Sequence, residues 1–168
     1  YPGDQYVDWI GLTLLNYGKA GRDRQWHDFE SLYEEFHRHA KIYAKPVMLA
    51  EFGSTPYGGD AGSWLADAFE KIGTTYPQIR AAVLFHTDND KNWATNWRPD
   101  PSATGIDWSV LHNAGARGKV ADGFASLQKG SRPHAGIRIT TPVHREEKSA
   151  TVSKPYLTGA PGSNELLV

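Results

Sequence analysis

The apolar residues change their spacing along the chain, and each spacing predicts a different element. Residues 6–15 are nearly continuously apolar, which is typical of a strand covered on both faces in a parallel sheet. From residue 26 to residue 44 the apolar positions recur at intervals of three and four. That spacing predicts an amphipathic helix, with Asp23 as its N-cap.

The same change of spacing occurs again in the middle of the chain. A short apolar run at residues 47–50 predicts a buried strand, with Glu51 at its C-terminal end. After a loop rich in Gly, Ser, Thr and Pro, helical spacing returns over about 62–72. Either Asp60 or Ser63 is positioned to cap this second helix.

A third strand is predicted at residues 79–86, and a weaker helix follows over about 115–128. Alternating strands and helices indicate βαβ units and a parallel sheet, so the fold class is α/β. Three strands rarely complete such a sheet, whereas a (β/α) barrel has eight strands and about 250 residues. We therefore expect either part of a barrel or a small open α/β domain. A chain that opens without Met, at Tyr1, favours part of a larger barrel.

The composition changes at about residue 130. Pro, Gly, Ser and Thr dominate from there on, and the apolar periodicity is lost. We expect a partial barrel in residues 1–129 and a disordered tail in residues 130–168, in which residues 137–140 could form one extra strand.

Charge and cysteine content argue against several classes of function. Lys and Arg number 18 against 19 Asp and Glu, which does not indicate binding to nucleic acid or acidic membranes. There is no cysteine, so neither a disulfide nor a thiolate metal site is expected.

No apolar run approaches the ~18 residues of a membrane span. No phosphate loop, serine nucleophile elbow or zinc motif indicates a cofactor.

Glu51 is the strongest candidate for chemistry because of its position. In barrels the reacting groups gather at the carboxyl ends of the parallel strands. A glutamate is poorly tolerated inside a strand unless it is paired, and Glu51 has no opposite charge adjacent in sequence. Glu51 is therefore interpreted as a catalytic carboxylate. The alternative is a glutamate that is merely exposed or paired with an arginine.

Polar residues also stand at the ends of the neighbouring predicted strands. His86 ends the third strand, on the same face as Glu51, and could bond a sugar hydroxyl or that carboxylate. Asn16 and Tyr17 end the first strand, and either could donate a hydrogen bond towards Glu51.

The spacing of His86, Asp88 and Asp90 raises the possibility of a metal site. It lacks the glycine and the terminal glutamate of a calcium loop. An ordinary polar turn is the preferred interpretation, and no metal is predicted.

Trp93, Trp97 and Trp108 lie on or next to the long loop at this face. Each could stack on a sugar ring or pack in the core. Three histidines fall on the first predicted helix and are expected on its solvent side: His27, His37 and His39.

Four segments, in order, resemble the C-terminal part of glycoside hydrolase family 26. Residues 1–11 (YPGDQYVDWIG) look like the entry into its sixth strand, and residues 45–54 (KPVMLAEFGS) look like its seventh strand. Residues 58–64 resemble the start of the following helix, and residues 76–85 (YPQIRAAVLF) resemble the eighth strand. The resemblance covers about residues 1–110.

This resemblance implies the C-terminal portion, about strands 6–8, of a (β/α)₈ TIM barrel that cleaves β-linked polysaccharide with retention of configuration. The family acts mostly on β-mannan, and it includes some β-glucanases and xylanases. The resemblance also implies an extracellular or periplasmic location. Glu51 matches the family's nucleophile. The acid/base glutamate, at the end of the fourth strand, would lie upstream of Tyr1. Retaining hydrolysis needs two carboxyl groups ~5–5.5 Å apart, so the chain alone is expected to be inactive.

The sequence departs from the family at two positions, which keeps alternatives open. Leu14 or Leu15 stands where a tyrosine commonly supports the nucleophile, and Leu84 stands where a tryptophan often floors the sugar subsite. One alternative is a degenerate, non-catalytic glycan-binding barrel that accompanies a bacterial polysaccharide synthase, with a family 2 glycosyltransferase as the upstream partner. Another is an unrelated small α/β interaction domain. Five residues are the predicted contacts for a polysaccharide or oligosaccharide: Asn16, Tyr17, His86, Trp93 and Trp97.

Overall fold

The computed structural model describes residues 1–93, 95–98 and 100–130, with side chains described as far as Leu127. The described residues form three strands and three α-helices that alternate along the chain, as the apolar spacing predicts: β1 (Ile10–Asn16), α1 (Phe29–Ala40), β2 (Val47–Ser54), α2 (Ala61–Thr74), β3 (Ile79–Leu84) and α3 (Ala114–Gly130). The predicted tail beyond residue 130, with the strand at 137–140, lies outside the described residues. Among those described, no helix is both long enough and apolar enough to cross a bilayer.

The three strands form a parallel sheet in the order β1-β2-β3. The first strand is shorter than predicted, because Tyr6 belongs to a turn in which its N–H donates to the Gly3 carbonyl at 3.0 Å. The Tyr6 side chain is 73% exposed there. The third strand ends at Leu84, so His86 lies in the loop that follows.

The prediction that Asp23 caps the first helix is wrong. The N-cap is Asp28, whose carboxylate accepts a backbone N–H from the first turn at 2.7 Å, and this bond lowers the pKa of Asp28. Arg24 has a φ of 58°, which no α-helix accommodates. Asp23 instead pairs with His27, with 2.5 Å between the carboxylate oxygen and the imidazole Nε2.

The first helix also ends earlier than residue 44. After Ala40, the side-chain amide of Gln78 donates to three carbonyls of the unwound segment: Ala40, Tyr43 and Lys45. These bonds satisfy backbone groups that further helical turns would otherwise have used.

All three helices contribute to one apolar core against one face of the sheet. Phe52 of β2 lies near its centre, with ring centroids 5.3 Å from Trp64, 5.8 Å from Phe69 and 6.1 Å from Phe29. Trp64, Phe69 and Leu65 come from α2, which the spacing places inward as predicted. The cap of α2 is Asp60, one of the two predicted residues.

A β-bulge at Ala50 decides which residues of β2 enter this core. Leu12 pairs with Leu49, but Thr13 pairs with Glu51, so Ala50 has no partner on β1. Val47 and Leu49 face the helices, and unbroken alternation would turn Glu51 into the core with them. The extra residue places Glu51 on the opposite face, which none of the described helices covers and which is called the helix-free face below.

Candidate functional site

Glu51 lies within β2 and not at its end, because the strand continues in register as far as Ser54. Its side chain is exposed on the helix-free face. The Oε2 atom accepts a hydrogen bond from the Thr13 hydroxyl at 3.3 Å. Sequence reasoning missed Thr13, since unbroken pairing would have placed it opposite Ala50. The result is a solvent-accessible carboxylate with one hydroxyl beside it.

Tyr17 lies close enough to Glu51 for the negative charge of that carboxylate to affect its pKa. Burial raises the pKa of the Tyr17 phenol, and the carboxylates of Asp90 and Glu51 raise it further. Its ring packs edge-on against Trp108, with centroids 4.9 Å apart. Tyr17, the residue directly after β1, is therefore a neutral phenol near the candidate nucleophile, and its predicted hydrogen bond to Glu51 stays a prediction.

Asn16 is buried, and both ends of its side-chain amide are engaged. The amide nitrogen donates to the Ser54 hydroxyl at 3.1 Å. The amide oxygen accepts the N–H groups of Gly18 and His27, at 3.2 Å and 3.4 Å. Asn16 thus ties the loop after β1 to the end of β2. A direct contact between Asn16 and a ligand stays a prediction.

Trp108 is buried, with 1% of its surface exposed, although it is not part of the apolar cluster between the sheet and the helices. Its indole N–H donates to the carboxylate of Asp90 at 3.0 Å. Asp90 is thereby committed to an internal bond, and the His86 ring lies edge-on to that of His112, with centroids 5.3 Å apart. Among the residues that the structure describes, no group of three or more acidic, histidine or cysteine side chains could hold a metal ion.

Trp93 and Trp97 lie in a cluster of rings at the carboxyl end of the sheet. Tyr57, from the loop after β2, stacks near Trp93 at 6.5 Å and meets Trp97 edge-on at 6.3 Å between centroids. Both tryptophans are half-buried, so part of each surface faces solvent. Tyr57 was not predicted, although its position just after the strand that carries Glu51 is a signal in the sequence.

The expectation that all three histidines face solvent is wrong for His37. Its ring packs against Tyr33 and Tyr76, with centroids 5.6 Å and 5.0 Å away, and its Nδ1 atom is buried. His39 is exposed as expected, and His27 lies just before α1.

No known protein family's sequence profile matches the chain. Over 104 residues the chain is 33% identical to endoglucanase H of Acetivibrio thermocellus, and the aligned part is 61% of this chain and 12% of that protein. The chain is thus a distant, partial homologue of a glycoside hydrolase and spans a small part of it. This agrees with the general kind of protein that the sequence motifs indicate. Membership of family 26 in particular stays a prediction.

Proposed function

We propose that the chain supplies the nucleophile half of the active site of a retaining β-glycanase. The observation that carries the proposal is the placement of Glu51. A β-bulge turns this carboxylate out of the core and onto the helix-free face, beside Thr13 and near Tyr17. The name of the relative, an endoglucanase, favours β-glucan as the substrate. The family 26 motifs keep β-mannan as the other candidate.

The arrangement of helices supports a barrel segment as the context of this site. Parallel sheets are normally covered on both faces, yet the described helices pack on one face and leave Val83 of β3 39% exposed on the other. Sequential strand order with every helix on one side is the arrangement in a (β/α)₈ barrel, whose inner face is covered by the remaining strands. We therefore propose that this chain forms about strands 6–8 of such a barrel.

In the proposed reaction Glu51 attacks the anomeric carbon and the glycosidic bond breaks, giving a glycosyl-enzyme. A second carboxylic acid protonates the leaving oxygen and then activates water to release the sugar. We propose that this acid/base belongs to a segment upstream of Tyr1. Thr13 and Tyr17 would orient the Glu51 carboxylate in place of the tyrosine that the family carries.

Phe85 supports an aromatic floor for the sugar despite Leu84. Leu84 packs against the core on the helix side, so its neighbour turns to the opposite face. The Phe85 ring lies edge-on to Trp108, with centroids 5.7 Å apart. An aromatic ring is thus available one residue after the position at which the family places tryptophan.

The proposal is tested by the substitution Glu51→Gln in the full-length protein. The amide keeps the shape of the side chain but cannot form the glycosyl-enzyme, so kcat on β-1,4-glucan or β-mannan oligosaccharides should fall at least about 1,000-fold while binding persists. Glu70→Gln is the matched control, because Glu70 is exposed on α2, on the helix side of the sheet. Unchanged turnover in Glu51→Gln would remove Glu51 from the mechanism.

A further inference from the structure

A pocket lies at the carboxyl end of the sheet, between the loops that follow β1 and β3. Its volume is about 670 Å³. Its wall combines two arginines with one tryptophan and small polar residues: Arg24, Thr95, Asn96, Trp97, Arg98 and Pro101. The proposed attack by Glu51 makes no use of these residues.

The two loops that form the pocket are held to each other. The Thr95 hydroxyl donates to the carbonyl of Ala20 at 3.3 Å and accepts the N–H of Trp97 at 3.2 Å. On the other side, the backbone of Arg24 has a φ of 58°. A non-glycine residue in this left-handed region costs free energy, and such positions concentrate at functional sites.

The charge of the pocket is positive and is not neutralised by nearby acids. Within the described residues, no carboxylate lies within 4.0 Å of the guanidinium group of Arg24 or Arg98. The adjacent acids are engaged elsewhere, since Asp23 pairs with His27 and Asp100 accepts bonds from Ser102.

Two contacts within the protein hold the guanidinium group of Arg98 in place before any ligand binds. One of its terminal nitrogens donates to the carbonyl of Ala103 at 2.9 Å, and its guanidinium carbon lies 5.0 Å from the centre of the Trp93 ring. A guanidinium has five N–H donors in a fixed plane, so several remain for a ligand.

We propose that this pocket binds a carboxylate-bearing unit of the glycan, so that the substrate is an acidic β-linked polysaccharide. The half-buried ring of Trp97 offers an apolar surface to a sugar ring. Arg24 and Arg98 supply the paired donors that suit a carboxylate. The inference rests on the proposed function and adds the chemical class of the substrate.

Single-stranded nucleic acid also uses arginine and stacking tryptophan. The structure favours the acidic glycan because the pocket lies between the loops that follow β1 and β3, the two strands on either side of the strand that carries Glu51. A nucleic-acid channel also requires a charged groove along many phosphates, whereas the net charge of this chain is −1.

The test compares two oligosaccharides of equal length and linkage by calorimetry on the full-length protein. One is a β-1,4-glucan hexamer, and the other is the same hexamer with its C6 hydroxymethyl groups oxidised to carboxylates. The acidic hexamer should bind at least about tenfold more tightly at low salt, because charge-assisted hydrogen bonds to arginine add to the stacking. Raising the salt concentration should reduce the difference.

Arg24→Gln and Arg98→Gln should each remove most of the preference for the acidic hexamer while leaving affinity for the neutral one unchanged. Arg38→Gln, on the exposed side of α1, is the matched control and should keep the preference. Circular dichroism checks that each variant is folded, and Arg24→Lys should restore part of the preference if charge is the cause.

Each of the other outcomes has a distinct meaning. Equal binding of the two hexamers would overturn this inference and leave the proposed function standing. Binding of neither hexamer would count against both. Tighter binding of a single-stranded oligonucleotide than of the acidic hexamer would also overturn the inference, in favour of nucleic acid.

Discussion

At the scale of single residues, the environment of Glu51 depends on one extra amino acid in β2. The sequence predicts a carboxylate at the end of a buried strand, but in the structure Glu51 is an exposed residue within β2, which continues as far as Ser54. The bulge at Ala50 could not be predicted, because it depends on pairing with Leu12 and Thr13 of another strand. For the same reason Thr13, the hydrogen-bond donor to Glu51, could not be identified from its own surroundings in the sequence.

Burial of other side chains was equally hard to predict from the sequence. Trp108 follows a polar loop, so its sequence context does not distinguish a sugar platform from a core residue. In the structure Trp108 is buried, and its indole N–H donates a hydrogen bond to the carboxylate of Asp90. His37 lies on a helix whose charged residues suggest a solvent face, but its ring meets Tyr76, which comes from the segment after α2. Both outcomes depend on contacts between residues distant in sequence.

Tyr33 provides a test of the core at the residue scale. It is fully buried, its hydroxyl lacks a partner among the described residues, and burial raises its pKa to about 12. As the pH rises, the Tyr33 phenol ionises at a lower pH in the unfolded chain than in the folded one. The free energy of unfolding should therefore hold its full value below pH 10 and fall by about 2 kcal/mol towards pH 12.

Denaturant unfolding at several pH values between 9 and 12 measures this loss. Tyr33→Phe should be neutral or slightly stabilising at pH 7, because it removes a buried unsatisfied hydroxyl. It should also show a smaller fall at high pH. Tyr6→Phe, at an exposed site, should behave as the wild type does. An equal fall in all three proteins would contradict the assigned burial of the Tyr33 phenol.

At the scale of elements, the order and type of strands and helices could be predicted, but their ends could not. Apolar spacing reports which face of an element is buried, and that signal extends over many residues. An end depends on a single group, such as the Asp28 cap or the Gln78 amide that follows α1. The sequence offers several residues that could take each of these roles, and it does not show that Asp28 rather than Asp23 caps α1.

The packing of α2 on α3 can be tested with two glycines. A Cβ added at Gly62 would lie 2.7 Å from the Cα of Ala116, on the backbone of α3, whereas a Cβ at Gly118 would meet nothing within 4 Å. Gly62→Ala should therefore destabilise the protein by about 1–3 kcal/mol, because the helices would have to separate. Gly118→Ala should stabilise it by about 0.5–1 kcal/mol, since alanine favours a helix.

Denaturant unfolding of the two variants beside the wild type gives both values. The pair is matched, since each adds one methyl group to a helix. Equal effects of the same sign would mean that α2 and α3 do not approach each other at Gly62.

At the scale of the whole molecule, the face of the sheet that carries the candidate site is covered by none of the described helices. The described helices account for the buried face, and the barrel proposal explains the exposed one. The sequence motifs predict this context through a resemblance. The spacing of apolar residues alone could not, because it does not report how many strands complete a sheet.

The barrel proposal predicts that the 168-residue chain lacks glycosidase activity by itself. Glu51 cannot act both as nucleophile and as proton donor to the leaving group, and the proposed acid/base lies upstream. Release of reducing sugar from β-glucan and β-mannan by the purified chain is the assay, with the full-length protein as the positive control. Turnover by the chain alone would show that both carboxylates lie within it.

The central claim is that Glu51 is the nucleophile, and covalent trapping measures this most directly. The full-length protein is incubated with 2,4-dinitrophenyl 2-deoxy-2-fluoro-β-cellobioside, whose activated leaving group needs no acid catalyst and whose fluorine slows hydrolysis of the glycosyl-enzyme. Peptide mapping by mass spectrometry should then locate the fluorosugar on Glu51, and the label should be absent from Glu51→Gln. A label on a different carboxylate, or an equal label on the Glu51→Gln protein, would contradict the account.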